Sequence, residues 1–228
     1  MNAVEFYLSR PRPLSRGDIV EIARMTTGQR NNPEWLSLRQ HCLTASLFKK
    51  ALGASVRQEL MNQFMRTYLH PCHPTPAMTY GCEMEAEARK AYCKKTGFHV
   101  RETGLWLFPS GNLGASPDGL VYEEEDDREA LGLVEIKCPY SMRDGTAQEL
   151  EAFAVKHNKE HYVQVQGQLA ATRIPWCDLV YWSPKGLWRM RIKKELCWAR
   201  LHVQTLEEFY RDYVQPAKMC MHVTIVYF

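Results

Sequence analysis

An acidic and a basic residue stand two positions apart in the segment LVEIKCPY, residues 133–140. The apolar residues around them predict a β-strand, on which successive side chains point to opposite faces. Glu135 and Lys137 therefore share one face of the strand, and Val134 and Ile136 share the other. An edge strand with one solvated face, or a simple cross-strand ion pair, has the same pattern, so the pair alone leaves these alternatives open.

A second carboxylate precedes the neighbouring short strand GLVY, residues 119–122. Asp118 lies between Pro117 and Gly119, and a hairpin through the charged loop EEEDDRE would bring it near Glu135. Two carboxylates and one ammonium group on adjacent strands suit a hard divalent cation such as Mg²⁺. In such a site, Lys137 can balance the acids and help to generate or orient a metal-bound hydroxide.

A third acid lies on the helix that we predict from about Ala77 to Lys95. Helical spacing places Glu85 on one stripe of this helix, and Glu85 is the only charged residue of the stripe. The other members are Met78, Gly81, Ala88 and Tyr92. A lone inward carboxylate is costly unless it is paired or bound to a metal. The alternatives are an ion pair with Arg89 one turn on, or a helix rotated relative to this stripe.

The elements that position these residues alternate between helices and strands. The first 14 residues, with RPRP at 10–13, resemble an arm. Asn32 and Pro33 predict the start of a helix, as N-cap and first helical residue. Further helices are predicted from Thr44 or Ser46 to Gly53, from Ser55 to about Tyr68, over about 146–173, and from about Glu195 to Val214.

The middle and the end of the chain are predicted to contribute strands. WCDLVYWS and LWRMRIKK flank a Pro-Lys-Gly turn, and HVTIVYF could form a closing strand. YVQVQGQL at 162–169 fits both the strand and the helix period, so periodicity does not decide between them. The order of elements predicts an α/β or α+β layered domain with a central sheet flanked by helices.

The whole chain has 228 residues, of which 45% are hydrophobic and 24% are charged, with a net charge of +3. Because neither a repeat nor a low-complexity linker is present, we predict one domain over 1–228. The charge permits an anionic partner without requiring one. There is no targeting signal, no membrane-length apolar stretch and no C-x-x-C among the eight cysteines. We therefore predict an intracellular protein of the cytoplasm or nucleus with reduced thiols.

Taken with its flanks, the acidic pattern resembles a known family. Pro117-Asp118, then sixteen residues, then Glu135-Ile136-Lys137 is the PD-(D/E)XK nuclease pattern. SLRQHCLTAS, YGCEMEAEAR, GASPDGL, VEIKCPYSMRD and HYVQVQGQL follow the order and spacing of the lambda exonuclease group, also called the YqaJ-type viral recombinases. The resemblance covers residues 33–182, whereas 1–30 (an arm or helix) and 183–228 (a strand and helix extension) carry no recognised motif.

This resemblance implies a restriction-endonuclease-like core with a central mixed sheet, in which YVQVQGQL is helical. It also implies a Mg²⁺-dependent exonuclease, with Mn²⁺ as a substitute, that degrades double-stranded DNA from the 5′ end. The implied partners are DNA ends and a single-strand annealing protein, and the implied assembly is a ring-shaped homotrimer. Recombination or DNA processing of a viral type is the implied setting.

The same resemblance assigns roles to individual residues. Asp118, Glu135 and the Ile136 carbonyl would bind two metal ions, Lys137 would position the attacking water, and Glu85 would complete the acids, directly or through water. The residues that would cradle the 5′ phosphate are Arg39, Ser46, Ser116 and Gln164. Arg39 also falls on a predicted apolar stripe with Leu36 and Leu43, where a buried guanidinium needs an anion. A structural pair with an acid is the alternative for Arg39.

Two other functions remain open at this point. A restriction-type endonuclease or junction resolvase would share Asp118, Glu135 and Lys137 but would not use an end-phosphate pocket. A non-catalytic DNA-binding protein on a nuclease fold is the second alternative.

Overall fold

The computed structural model describes residues 1–53 and 74–216. In the N-terminal part, short helices surround one short strand, and a long helix follows. Their bounds are α1 Ala3–Ser9, α2 Arg16–Met25, a 3-10 turn Gln29–Asn31, α3 Pro33–Arg39, β1 Leu43–Thr44, a 3-10 turn Ala45–Leu47, α4 Phe48–Leu52 and α5 Pro76–Thr96.

The remaining described residues contain most of the strands and the longest helix. Their bounds are β2 His99–Arg101, β3 Trp106–Leu107, β4 Leu113–Ala115, β5 Gly119–Tyr122, β6 Gly132–Lys137, a 3-10 turn Tyr140–Met142, α6 Ala147–Thr172, β7 Trp176–Ser183, β8 Gly186–Lys193, α7 Trp198–Phe209 and a π-helical turn Tyr210–Val214.

The central sheet is mixed, with strand order β2-β5-β6-β7-β8. Strands β6 and β7 are parallel and are joined by the long helix α6, whereas the other neighbouring pairs are antiparallel. A second sheet has the order β1-β4-β3, in which β1 and β4 are parallel. These mixed sheets flanked by helices confirm the predicted α/β fold class.

The two faces of β6 pack against different helices. Leu133 lies on the face that carries Glu135 and Lys137, and it packs in one core cluster with Val165 and Leu169 of α6. Val134 lies on the opposite face and packs in another cluster with Ala88 of α5. The strand is therefore covered on both sides, which explains its continuous apolar run and excludes the edge-strand interpretation of the charged pair.

Several predicted boundaries are confirmed. Helix α5 begins after the N-cap Thr75 and ends at Gly97, whose φ of 78° lies in the left-handed region that glycine enters without a steric penalty. The ambiguous segment YVQVQGQL lies inside α6, which begins with a capping box at Thr146. The two strands around Pro-Lys-Gly are β7 and β8, with Ser183 paired to Gly186 at the turn.

Other predictions differ from the structure or concern residues outside the described ranges. Of the two alternatives for residues 1–30, an arm or a helix, the structure shows the helix, because α1 buries Ala3 and Tyr7 against the core. Thr44 precedes a 3-10 turn without a side-chain capping bond, so the helix that ends before Gly53 is shorter than predicted. The helix predicted from Ser55 and the closing strand HVTIVYF lie outside the described residues.

No helix within 1–53 and 74–216 has the length and apolarity that a membrane span requires. The six cysteines in these ranges form no disulfide bond with one another.

Candidate active site

The β5–β6 hairpin places Asp118 beside Glu135, as predicted. Gly119 pairs with Val134 in the antiparallel register. Asp118, just before Gly119, therefore lies opposite Glu135, just after Val134. A Cβ atom on Gly119 would approach the Val100 Cγ1 atom to 2.3 Å. A side chain at this position would displace Val100 from its place on the neighbouring strand, which favours glycine directly after the aspartate.

The Asp118 carboxylate is held by the backbone of the neighbouring strand. Its Oδ2 atom accepts a hydrogen bond of 2.6 Å from the Ile136 N–H group. Burial, together with the negative charges of Glu135 and Glu85, raises the pKa of Asp118 well above its usual value. A cation at this point would relieve the repulsion among the acids and favour the ionised form of Asp118.

Glu135 is almost completely buried, with 3% of its side chain exposed, and three side chains bind its two oxygens. Oε1 accepts hydrogen bonds of 2.6 Å from Lys137 and from Gln164, and Oε2 accepts one of 2.6 Å from Gln168. These contacts compensate a buried charge that would otherwise be costly. They also fix the orientation of the carboxylate without the help of a ligand.

Lys137 is charged and has a defined position. Burial alone would lower its pKa, but the carboxylates of Glu135 and Asp118 outweigh burial and raise the pKa. Its Nζ atom donates to Glu135 and, over 3.3 Å, to the Gln164 Oε1 atom. An ammonium group has three protons, so these two bonds leave one with which to orient a water molecule.

Glu85 reaches the same cluster from α5, but it is not the unpaired inward acid that the stripe suggested. Its carboxylate pairs with Arg89 at 3.3 Å and with Arg30 at 3.0 Å, and 27% of the side chain is exposed. The ion pair with Arg89, one of the alternatives raised by the sequence, is therefore present. The negative charge of Glu85 nevertheless contributes to the raised pKa of Asp118.

The predicted phosphate ligands fall into two groups. Ser116 accepts a 2.8 Å hydrogen bond from the Trp35 indole, and the Arg39 guanidinium lies 4.9 Å from the Trp35 ring centre. Trp35 thus links Arg39 to Ser116 and leaves the Ser116 hydroxyl proton available as a donor. Gln164 instead lies with the acids, where its amide contacts Glu135 and Lys137.

Ser46 lies next to the first group. β1 and β4 are parallel, and Thr44 pairs with Gly114. Ser46 comes two residues after Thr44, and Ser116 comes two residues after Gly114. The two serines therefore lie at the same end of adjacent strands. The Ser46 hydroxyl is 3.2 Å from the Thr44 hydroxyl. The predicted apolar stripe of α3 was wrong, because Leu36 is 47% exposed and the buried residues of this helix are Trp35 and Leu38.

Sequence reasoning missed several residues that shape the site. Gln168 could have been found, because it lies one helical turn after Gln164 on the same face of α6. Trp35 likewise lies one turn before Arg39. His161, which is hydrogen-bonded to Tyr181, lies one turn before Gln164 on α6 and carried the same signal. Burial and the nearby Lys137 lower the pKa of His161 to about 3, so this imidazole is neutral.

The thiols near the acids are not suited to nucleophilic chemistry. Burial and the carboxylates of Asp118 and Glu85 raise the pKa of Cys138 to about 12. A thiol with so high a pKa stays protonated at physiological pH and reacts weakly as a nucleophile. The carboxylates and the lysine are therefore the candidate groups for chemistry at this site.

The oxygen ligands fit Mg²⁺ better than a transition metal. Mg²⁺ is commonly held by one or two carboxylates, with water and substrate phosphate completing its coordination, and Asp118 and Glu135 supply these carboxylates. Within the described ranges, no group of three or more His, Cys, Asp or Glu side chains is placed so that it could hold a metal ion, so Glu85 does not form a ready three-acid site with Asp118 and Glu135.

Two curated relatives of this chain are alkaline nucleases of viruses. The chain is 27% identical over 175 residues to an alkaline nuclease of Autographa californica nuclear polyhedrosis virus, covering 68% of this chain and 36% of the relative. An alkaline nuclease of Orgyia pseudotsugata multicapsid polyhedrosis virus is 28% identical over 158 residues, covering 68% of this chain and 35% of the relative. The chain thus spans about a third of the length of these curated relatives.

Among solved structures, an alkaline exonuclease (LHK-Exo) from Laribacter hongkongensis matches with a TM-score of 0.66 and 27% identity, over 85% of this chain and 98% of that one. A phage-related exonuclease from Haemophilus somnus shares the fold at a TM-score of 0.57 and 11% identity, over 77% of this chain and 96% of that one. The YqaJ-like viral recombinase domain matches residues 34–175, which include Asp118, Glu135 and Lys137. The chain therefore belongs to the YqaJ-like viral recombinase domain family.

Proposed function

We propose that this chain is a Mg²⁺-dependent deoxyribonuclease that degrades linear double-stranded DNA from the 5′ end. The observation that carries the proposal is the meeting of Asp118, Glu135 and Lys137 at one end of the β5–β6 hairpin, with the Glu135 carboxylate already oriented. The likeness to LHK-Exo, described as an alkaline exonuclease, supports the choice of an exonuclease.

The acids would hold the metal ions of this reaction. Asp118, Glu135 and the carbonyl oxygen of Ile136 are the proposed ligands, and Glu85 would join them directly or through water. Two bound Mg²⁺ ions, for which Mn²⁺ would substitute, would stabilise the attacking and the leaving oxygen of the phosphodiester. Gln164 and Gln168 would keep the Glu135 oxygens in place through their hydrogen bonds.

Lys137 would position the attacking water. Its ammonium group is fixed by Glu135 and Gln164, and it stays charged because the acids raise its pKa. A fixed cation beside the scissile phosphate would also stabilise the negative charge that develops there. The lysine thus acts through its position and charge rather than by accepting a proton.

The group formed by Arg39, Trp35 and Ser116 would recognise the end of the strand. A terminal 5′ phosphate carries a charge of about −1.5 to −2, whereas an internal diester carries one negative charge. The arginine can bind two phosphate oxygens at once, and the Ser116 hydroxyl can donate to a third. Ser46 and Gln164 complete the proposed set. Because Ser116 precedes Asp118 by two residues, end recognition and cleavage would be close together.

The test of this function compares substrates of different topology. Linear duplexes labelled at either end should be degraded from the 5′ end in Mg²⁺, with the 3′ labels retained longest. A covalently closed circle should stay intact. Rapid nicking of the circle would assign the protein to the endonuclease or junction-resolvase class, and DNA binding without any metal-dependent cleavage would assign it to the non-catalytic class.

Arg39→Ala should remove most of the preference for a 5′-phosphorylated end over a 5′-hydroxyl end. A charged hydrogen bond contributes roughly 1.5–3 kcal/mol, so the expected loss is about tenfold or more. The measurement is the ratio of initial degradation rates on the two substrates, for the wild type and for the variant. Equal rates on both substrates in the wild type would contradict end recognition altogether.

A matched control for Arg39→Ala is Arg101→Ala. The Arg101 guanidinium also stacks on an aromatic ring, 3.9 Å from the centre of Tyr122, but it donates to the Glu125 carbonyl in the loop that follows β5, at the other end of this strand from Asp118. Its replacement should leave the ratio of rates unchanged. A similar loss in both variants would mean that a general loss of positive charge, and not a phosphate pocket, causes the effect.

We further propose that the protein acts as a homotrimeric ring beside a single-strand annealing protein. A ring closed by heterologous contacts would keep the enzyme on the DNA between cleavage steps. Light scattering at micromolar concentration should give three times the mass of the chain. A stable monomer under these conditions would exclude the ring.

A further inference from the structure

Arg30 connects the N-terminal segment to the catalytic acids, although it precedes the matched family domain at 34–175. One of its terminal nitrogens lies 3.0 Å from the Glu85 Oε2 atom and 3.3 Å from the Cys82 carbonyl oxygen. Two clefts meet at this contact, one of about 470 Å³ and one of about 620 Å³, and both are lined by Arg30, Cys82 and Glu85. The Arg30–Glu85 ion pair therefore stands between the two clefts.

The backbone of Arg30 is anchored firmly. The preceding residue, Gln29, donates from its amide to the Pro117 carbonyl at 2.8 Å and to the Thr103 carbonyl at 3.1 Å. Gln29 itself has a φ of 45°, in the left-handed region that non-glycine residues seldom adopt. These contacts tie the turn to the residue just before Asp118, so that the position of Arg30 relative to the acids is fixed.

The Arg30 guanidinium, in contrast, can leave Glu85 without leaving this carboxylate unpaired. Its side chain is 40% exposed, and exposed ion pairs contribute little to stability. Glu85 keeps a second cation, Arg89, which is only 19% exposed and is also held by Glu102 at 2.6 Å. If Arg30 moved away, Glu85 would therefore still be neutralised.

The positions of the two clefts indicate what Arg30 could bind instead. The first cleft contains Asp118 and Trp35, and the second contains Lys137. A phosphodiester that contacts both Asp118 and Lys137 must place its backbone across the boundary between the clefts. The Arg30–Glu85 pair lies on that boundary, so a bound strand would bring its phosphates to Arg30.

We propose that Arg30 binds DNA. When a strand enters the clefts, the Arg30 guanidinium leaves Glu85 and pairs with a backbone phosphate of that strand. This inference rests on the proposed function, because it requires that DNA is the substrate of the cleft. An arginine suits the exchange, since its guanidinium binds carboxylate and phosphate oxygens in the same forked geometry. The exchange keeps the cation paired in both states.

The test measures the affinity for a fluorescent DNA duplex in Ca²⁺. Because Ca²⁺ binds oxygen ligands in a loose geometry, it should occupy the metal site and support only slow cleavage. Arg30→Ala should weaken binding about tenfold and reduce the slope of log K against log salt by about one. Arg30→Lys should recover part of the affinity through its charge. Wild-type affinity and slope in Arg30→Ala would overturn the proposal.

Arg24→Ala is the matched control, because it removes the same charge from the same N-terminal segment. Arg24 is 72% exposed and pairs with Glu21 on its own helix, so its replacement should leave both the affinity and the slope unchanged. Equal losses in Arg24→Ala and Arg30→Ala would overturn a specific contact. Thermal unfolding of each variant should match the wild type, since both ion pairs are exposed.

A double-variant cycle distinguishes the exchange from a structural role. Because Glu85 is also a proposed metal ligand, this cycle is measured without divalent metal. Glu85→Gln frees Arg30 from its partner and should tighten DNA binding, and this gain should disappear in the Glu85→Gln, Arg30→Ala protein. A gain that persists without Arg30 would reflect the lost negative charge alone and would overturn the exchange. A wild-type protein that binds no DNA would overturn the proposed function itself, and this inference with it.

Discussion

Asp118→Asn and Glu135→Gln should each lower the rate of DNA cleavage by about 10³-fold or more while DNA binding persists. Each change replaces an anionic metal ligand by a neutral amide of nearly the same shape. A bound metal ion supplies several kcal/mol of transition-state stabilisation, and a loss of ~4 kcal/mol corresponds to about 10³ in rate. The measurement is the single-turnover rate on linear duplex in Mg²⁺, with binding followed separately in Ca²⁺.

The two variants are expected to differ in their side effects. Glu135 anchors Lys137, Gln164 and Gln168, so its replacement will also disturb the groups around it. The Asp118 oxygen accepts one backbone hydrogen bond, from Ile136, so Asp118→Asn is the cleaner test of metal binding. A folded Asp118→Asn protein that cleaves at a near-normal rate would exclude the proposed metal site.

Asp126→Asn provides the control for this pair of variants. Asp126 is an exposed acid in the loop between β5 and β6, so its replacement makes the same chemical change away from the cleft. Its cleavage rate should remain within about twofold of the wild type, as for a surface substitution remote from a site. A loss comparable to that of Asp118→Asn would point to a general effect of net charge.

Asp178→Ala should lower the free energy of unfolding by about 3 kcal/mol. Asp178 is fully buried on β7 and accepts hydrogen bonds of 2.7 Å from the Tyr92 hydroxyl and 2.8 Å from each of Arg189 and Arg191. Removing one partner of a buried charge network costs about 3–5 kcal/mol. We expect the lower end, because the two arginines are each 38% exposed and can be rehydrated, whereas the Tyr92 hydroxyl is left without this acceptor.

The measurement is the free energy of unfolding of the wild type and of Asp178→Ala, from denaturant titrations at neutral pH and again in acid. Burial alone would raise the pKa of Asp178, but hydrogen bonds from Arg191 and Tyr92 outweigh it and lower the pKa. A carboxylate with a depressed folded-state pKa stabilises the fold above its unfolded pKa of about 3.9, and this contribution is lost as the pH falls through the folded value. The difference between wild type and Asp178→Ala should therefore shrink in strong acid.

Glu87→Ala is the control for stability. Glu87 is 57% exposed and pairs with Lys90 on the surface of α5, so its loss should cost no more than about 0.5 kcal/mol. If Asp178→Ala and Glu87→Ala destabilise the protein equally, the buried network does not hold the sheet as we expect.

The amino-acid sequence by itself determined the parts of the site that depend on local patterns. Alternation along β6 placed Glu135 and Lys137 on one face, and the short hairpin placed Asp118 next to them. Helix α5 could be delimited because Gly97 ends it in a left-handed conformation. Each of these signals involves residues within one strand, one hairpin or one helix, where backbone geometry alone fixes the spacing.

The tertiary structure alone decided which side chains complete the site. The Arg30–Glu85 pair joins residues 55 positions apart, and the Trp35–Ser116 hydrogen bond joins residues 81 positions apart. The Tyr92–Asp178 bond spans 86 positions. Such contacts depend on how helices pack on a sheet, and one sequence pattern is compatible with many packings. The positions of Asp118 and Glu135 could thus be predicted from local patterns, whereas the cations and hydrogen-bond donors around them required the assembled fold.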